Sequence, residues 1–221
     1  MSDQQKPTCR ILVMASGNGS NFQALIDAVA SGRIPNSKII RLIVNRKNAY
    51  AKTRAEQANI PWECFNMISN GFLAKGEKDE AKATEARQKY DAVLAEKVLA
   101  EKPDLVVLAG WMHVFTSPFL RPLESAGIKA INLHPALPGK FDGAGAIERA
   151  YEAFQAGQIE ETGIMVHNVI EAVDQGKPIM TKTIPCQKGE ALAQFEERIH
   201  SHEHELIVEA TAKVVKEILG L

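Results

Sequence analysis

The stretch Cys9-Arg-Ile-Leu-Val-Met-Ala15, continuing into Ser16-Gly-Asn-Gly-Ser-Asn21 and Phe22-Gln-Ala-Leu-Ile-Asp-Ala-Val-Ala30, decides the fold. A short apolar run that stops at glycines reads as a strand buried on both faces. Phe22, Leu25, Ile26 and Val29 then recur at helical spacing, and Gly32 marks the end of the helix. A strand, a glycine-bearing loop and a helix form the opening unit of an open α/β sheet. The loop lies where such sheets bind phosphate: backbone N–H groups and the helix dipole face the anion, and glycines let it approach. Ser20 and Asn21 are expected to cap the helix and to donate side-chain hydrogen bonds. A tight turn followed by an N-cap is the plain alternative.

Outward from this unit the pattern repeats. Residues 39–44 read as a second strand, 49–58 as a helix, 61–65 as a short third strand and 79–101 as a long charged helix with Tyr90, Val93, Leu94 and Val98 apolar. Residues 105–109 and 129–133 read as buried strands. Strands alternating with helices at this pitch predict βαβ units. The fold class is therefore α/β, a Rossmann-like, mostly parallel twisted sheet flanked by helices. After His134 the alternation loosens into loop chemistry at 135–145, then a helix over 146–156. Residues 163–170 and 178–184 read as two strands paired across the turn Asp174-Gln-Gly-Lys177, which adds an antiparallel C-terminal portion. A long helix fills 189–219. Residues 1–8 are read as a flexible tail and 9–221 as a single domain.

Composition narrows the function classes. The 221 residues are 45% hydrophobic and 24% charged, with 26 Lys plus Arg against 27 Asp plus Glu and a net charge of −1. These are ordinary globular values. A nucleic-acid binder would show a basic excess, so no nucleic-acid partner is expected. No apolar run reaches the roughly 20 residues of a membrane span, and the N-terminus lacks a signal core, so no membrane partner is expected and the chain is placed in the cytoplasm. Cys9, Cys64 and Cys186 form no zinc pattern. His200 and His204 stand at i, i+4, but no Glu follows the first, so the helical zinc-protease motif is absent and no metal is expected.

The glycine loop is not a dinucleotide fingerprint. Phe22 stands where the third glycine of Gly17-x-Gly19 would fall, and Asn45-Arg-Lys47 offers no acid to a ribose. A monophosphate fits better. The second chemical constellation is Ile131-Asn-Leu-His-Pro135. In an extended chain Asn132 and His134 point the same way, so an amide donor and an imidazole face one space. Asn can stabilise an oxyanion and His can move a proton near neutral pH. Asp174, in its turn, could orient or charge the histidine. A structural histidine at a strand end is the plain alternative. Together Asn132 and His134 suit acyl transfer without a covalent intermediate; a nucleophilic triad is less supported, because no G-x-S-x-G is present and no cysteine has a catalytic context.

Gly17-Asn-Gly-Ser-Asn21, Leu108-Ala-Gly-Trp-Met112, Asn132-Leu-His-Pro135 and His167-x-Val-x-x-x-x-Asp174-x-Gly176, in this order and spacing, resemble the folate-dependent formyltransferases, and within them the branch that formylates glycinamide ribonucleotide. The likeness covers roughly residues 9–215. It implies a formyltransferase fold, with residues 9–134 as a nucleotide-binding half and 135–221 as a folate and catalytic half. It implies transfer of the formyl group of 10-formyltetrahydrofolate, the co-substrate, to the amine of 5-phosphoribosylglycinamide in purine synthesis. The catalytic trio would be Asn132, His134 and Asp174, with His134 protonated because Asp174 raises its pKa. A water or His134 would carry the last proton. Gly19, Ser20 and Asn21 would hold the substrate phosphate, and Glu203 and His200 would bind the nucleotide. Met112, His113, Val114 and Phe115, with Ile170, Glu171, Ala172, Val173, Asp174 and Asn132, would cradle the folate, and Arg87 would meet its glutamate tail. Many relatives carry Arg where His113 stands.

The small-molecule partners are thus expected to be glycinamide ribonucleotide and 10-formyltetrahydrofolate, acted on by a monomer or weak homodimer. A formyltetrahydrofolate hydrolase, or another formyltransferase on the same scaffold, is the alternative; there, water would replace the amine. A phosphate-binding regulator with a degenerate site would retain the loop but would not need an intact trio.

Overall fold

The computed structural model describes residues 7–221; the expected tail at 1–8 lies, but for the exposed Pro7 and Thr8, outside the described residues. The elements run β1 Cys9–Ala15, α1 Ser20–Ala30, β2 Ser37–Val44, α2 Ala51–Gln57, β3 Trp62–Cys64, α3 Glu80–Ala100, β4 Leu105–Leu108, α4 Ser117–Ser125, β5 Lys129–His134, α5 Ala146–Gln155, β6 Glu161–Asn168, β7 Pro178–Pro185 and α6 Leu192–Leu219. One seven-stranded sheet has the order β3-β2-β1-β4-β5-β6-β7. Strands β1 to β5 pair in parallel, and β6 and β7 pair antiparallel to their neighbours. The expected hairpin is present, but its connection spans 169–177 rather than a four-residue turn.

Both faces of the sheet are covered, which is why its central strands are continuous apolar runs rather than alternating ones. On one face Ile11, Val13, Leu42 and Val107 pack with Phe22 and Leu25 of α1 and with Phe195, Ile199, Leu206 and Ile207 of α6. On the other, Leu12, Met14, Val106 and Leu108 pack with Tyr90, Leu94 and Val98 of α3 and with Phe119 and Leu123 of α4. Helix α3 begins at Asp79, whose carboxylate accepts from the N–H groups of Ala81 and Lys82, an arrangement that stabilises a helix end by about 1 kcal/mol.

Helix α4 is the one element that the sequence pattern does not announce. Pro118 lies in its first turn, where no intrahelical N–H is needed, but Pro122 sits inside it and breaks the local signal. Burial of Phe119 and Leu123 against α3 holds it in place, so tertiary packing outweighs propensity.

The strand order reverses between β1 and β4. Open α/β sheets bind ligands at that crevice, beyond the carboxyl ends of the strands. Two loops meet there: the Ser16 N–H donates to the Gly110 carbonyl at 2.9 Å, and the Met112 N–H donates to Ser16 Oγ at 2.7 Å. The glycine loop and the segment after β4 are thereby fixed to each other.

Candidate active site

A cleft of about 1260 Å³ opens at this edge. Pockets for one drug-sized ligand run to roughly 1,000 Å³, so there is room for two substrates side by side. At one end lies the glycine loop. Gly19 has φ +76°, and a Cβ there would come within 2.7 Å of the Ala51 side chain and 2.9 Å of its Cα, so only glycine fits. Gly19 is also the N-cap of α1, with no side-chain cap. The expectation that Ser20 and Asn21 cap the helix is therefore corrected, because a left-handed glycine makes the turn and places both residues inside the helix. Asn21 instead donates from Nδ2 to Glu203 Oε2 at 3.0 Å. Glu203 is buried on α6, and burial pushes its carboxyl above the usual range, against the opposing pull of Asn21 and His200. The glycine-loop end of the cleft thus draws residues from both halves of the chain. His200, His204 and Arg46 also line the cleft.

The expected trio comes together. Asn132 and His134, at alternate positions of β5, both reach Asp174: Asn132 Nδ2 donates to Oδ1 at 3.2 Å, and His134 Nδ1 lies 3.3 Å from Oδ2. Asp174 has φ +56°, a left-handed conformation that Asp tolerates better than most residues. Its Oδ2 also accepts from the Gly143 N–H at 2.8 Å. Burial pushes the Asp174 carboxyl upward, but the bonds from His167 and Gly143 and the two nearby imidazoles outweigh it, and the net effect is a lowered pKa.

His134 departs from expectation in its charge. Burial pushes its pKa below 6.5, and this outweighs the opposing attraction of Asp174, with His167 acting in the same direction as burial. The side chain is only 3% exposed, so desolvation of the imidazolium dominates. A pKa lowered from 6.5 leaves the histidine neutral at pH 7, and among the described residues its Nε2 has no hydrogen-bond partner.

A fourth member, His167, reads from the residues alone as a packed, hydrogen-bonded strand residue, and the resemblance implies that it lies close to the site. The antiparallel register sets it directly opposite Asn132. Its Nε2 lies 3.2 Å from Asn132 Nδ2 and 3.4 Å from Asp174 Oδ1, while Nδ1 meets the Asn168 carbonyl at 2.9 Å. The signal was the spacing from His167 to Asp174 across the hairpin. Gly143 carried no signal, because its contribution is a backbone N–H.

The residues expected to face the folate divide. Met112, Val114, Ile170 and Val173 line the cleft with apolar side chains left 66%, 46%, 47% and 36% exposed, a wall suited to a flat heterocycle. Phe115 lines it from beneath. His113 lines the cleft too, and its Nε2 meets the buried Asp91 of α3 at 2.6 Å. Glu171 lines the rim and accepts from the hydroxyl of Ser117. Ala172 and Arg87 are exposed and outside the cleft lining. Among the described residues no group of three or more His, Cys, Asp or Glu is disposed to hold a metal ion. No helix among them is long and apolar enough to cross a membrane.

Comparison with known proteins agrees with this geometry. The family described as formyl transferase matches residues 9–211. The chain is 45% identical to the phosphoribosylglycinamide formyltransferase of Schizosaccharomyces pombe, over 93% of this chain and 96% of that one. It is 44% identical to the enzyme of the same name from Saccharomyces cerevisiae, over 95% and 98%. Among solved structures, glycinamide ribonucleotide transformylase 1 from Geobacillus kaustophilus superposes with a TM-score of 0.76 at 31% identity, covering 94% of this chain and 99% of that one. A match spanning nearly the whole chain, on a fold that gathers Asn132, His134 and Asp174 at one cleft, shows that the protein belongs to the formyl transferase family.

Proposed function

We propose that this protein transfers the formyl group of 10-formyltetrahydrofolate to the amine of 5-phosphoribosylglycinamide, giving formylglycinamide ribonucleotide and tetrahydrofolate. The observation that carries this reading is the convergence of Asn132, His134 and Asp174 between a phosphate-type loop and an apolar wall. One end of the cleft suits the nucleotide: the N–H groups at Gly19, Ser20 and Asn21 take the phosphate, and Glu203 and His200 face the sugar and glycinamide. The other end suits the folate: Met112, Val114 and Phe115 face Ile170 and Val173 across a slot for the pterin. Asp174 and Asn132 close its inner end. Glu171 and Ala172 complete the rim, and Arg87, on exposed α3, meets the glutamate tail outside it.

The chemistry follows from what each group can hold. The amine attacks the formyl carbon, the C–N bond forms, and the carbonyl oxygen gathers negative charge. The Asn132 amide can donate to that oxygen by giving up its contact with His167 Nε2. Neutral His134 takes the proton lost by the attacking nitrogen on Nε2 and becomes an imidazolium beside Asp174, where the carboxylate stabilises it. That proton then goes to the departing folate nitrogen as its bond to the formyl carbon breaks. Removing one such donor from an acyl-transfer site costs about 3–4 kcal/mol.

In this reading residues 9–221 act as one domain in the cytoplasm, as a monomer or weak homodimer. The test is to mix the protein with a 10-formyl folate and follow the folate absorbance with and without glycinamide ribonucleotide. Change that requires the nucleotide supports transfer. Change without it makes the protein a hydrolase, and no change in either mixture sinks both.

A further inference from the structure

Arg149 stands in the first turn of α5, behind the cleft wall rather than in it. Its guanidinium is directed at backbone: Nη2 donates to the carbonyls of Phe141 at 2.6 Å, Asp142 at 2.8 Å and Ala144 at 2.9 Å, and Nε donates to that of Gly145 at 3.3 Å. The guanidinium carbon also lies 5.9 Å from the centre of the Phe141 ring. One side chain therefore gathers four of the five carbonyls of the loop 141–145: the Nη2 hydrogens are shared among three of them and Nε reaches the fourth, so two nitrogens of one fixed plane are used, where an ammonium offers a single nitrogen.

The gathered loop would not hold this shape alone. Gly139, Phe141, Gly143 and Gly145 have φ of 69°, 49°, 84° and 66°. Three are glycines, but Phe141 is a bulky residue in the left-handed region, and such an outlier persists only where its surroundings over-determine it. Here they are the Arg149 fork and the packing of Phe141 against the main core. Strain of this kind beside a site motivates a functional reading. The loop turns the Gly143 N–H onto Asp174 Oδ2 at 2.8 Å, and its Asp142 carboxylate accepts from Gln175 Nε2 at 3.4 Å. The Asp174 carboxylate lies 3.3 Å from His134, 3.4 Å from His167, and accepts from Asn132.

We propose that Arg149 is a positioning residue for formyl transfer, a clamp whose hold on the backbone of 141–145 keeps the Gly143 N–H on Asp174 and so fixes the charge and place of the carboxylate behind His134. The proposal rests on the functional reading above. It assigns Arg149 no contact with either substrate.

The test compares full-length wild type, Arg149→Met and Arg149→Lys. Met keeps the stem and the helix but removes every donor; Lys keeps the charge and the stem but not the fork. Both variants are expected to lose kcat by roughly 10- to 100-fold, the scale on which outer supports of a reactive group act, with KM for each substrate changed much less. The pH profile separates a clamp from a merely structural arginine. The groups facing Asp174 are Asn132 and His134 on β5, His167 on β6 and the Gly143 N–H on the loop, and all these residues remain in the variants. Without the Gly143 N–H, Asp174 is no longer held beside His134, the attraction that opposes burial of the imidazole weakens, and the acid limb moves to lower pH. Millimolar guanidinium should restore part of the activity of Arg149→Met and none of that of Arg149→Lys. Folded variants with wild-type kcat and an unmoved acid limb would overturn the clamp. If the wild type itself transfers no formyl group, the functional reading fails separately. Amide exchange at 141–145 then decides the clamp: faster exchange in Arg149→Met upholds it, and unchanged exchange overturns it.

Discussion

Asp91, wholly buried on α3, lies 2.6 Å from His113 Nε2 and holds the segment after β4 to the helix beneath it. Its second oxygen accepts from the backbone N–H of Thr116 at 2.6 Å and from the Thr116 hydroxyl at 2.7 Å. The segment that carries Met112, Val114 and Phe115 is thus hung from a buried carboxylate, and His113 is one of its suspension points. In Asp91→Ala the Thr116 N–H and the imidazole are left without their acceptor, at a cost of about 2–4 kcal/mol. Urea unfolding should show that loss, and KM for the folate should rise more than KM for the nucleotide. Equal shifts in both KM values would mean that the segment does not serve the folate end.

The His134 imidazole, held below 6.5 by burial, sets the acid side of the pH profile. A group whose folded pKa is depressed is neutral at pH 7, so activity should stay level as pH falls to 6.5 and drop only at lower pH. Stability follows the same sign: between 6.5 and the depressed value the unfolded chain binds more protons, so stability falls on acidification through that window. Asp174→Asn removes the attraction that opposes burial and should move the limb lower still, besides slowing turnover. A limb above 6.5 in the wild-type enzyme would contradict the neutral-histidine account.

Gly176 is fixed by close approach rather than by a left-handed φ. A Cβ there would fall 1.6 Å from the Asn168 carbonyl oxygen and 3.2 Å from His167 Nδ1. The backbone must shift to admit any side chain, and that shift draws Asp174, two residues away, off His134 and His167. Gly176→Ala should lose about 1–3 kcal/mol of stability from overpacking and, beyond that, roughly 100-fold in turnover. Turnover within twofold of wild type would show that the 169–177 connection does not set the carboxylate.

Glu203 carries a buried carboxyl whose pKa burial raises above 4.5. In the window above 4.5 the native state binds the extra proton, so stability declines as pH rises through it. Glu203→Gln keeps an acceptor for Asn21 and removes the charge. Its melting temperature should equal or exceed that of the wild type at pH 7 and should vary less between pH 5 and 7, while KM for the nucleotide rises. A lower melting temperature with the same pH slope would mean that Glu203 is ionised at no cost.

Much of this is legible in the sequence because it is local. The strand, loop and helix at 9–30 and the alternation on β5 depend on neighbours a few residues away, and the structure has them where periodicity places them. What stayed hidden depends on distant contacts. The partner of His113 stays hidden until α3 brings Asp91 beneath it, 22 residues away in the chain. His167 reads as packing until the antiparallel register sets it against Asn132. The charge on His134 is set by how deeply β5 is buried, which spacing does not encode. Helix α4 is masked by Pro122 and held by packing against α3.

The central claim is direct transfer of the formyl group at Asn132, His134 and Asp174. Its most direct test is a single turnover with 10-[13C]formyltetrahydrofolate and glycinamide ribonucleotide, with the nucleotide product read by mass spectrometry for wild type and His134→Ala. The account predicts labelled formylglycinamide ribonucleotide from the wild type and a rate lower by about 100- to 1,000-fold in His134→Ala. Labelled formate in place of labelled nucleotide, or a His134→Ala rate near that of the wild type, would contradict it.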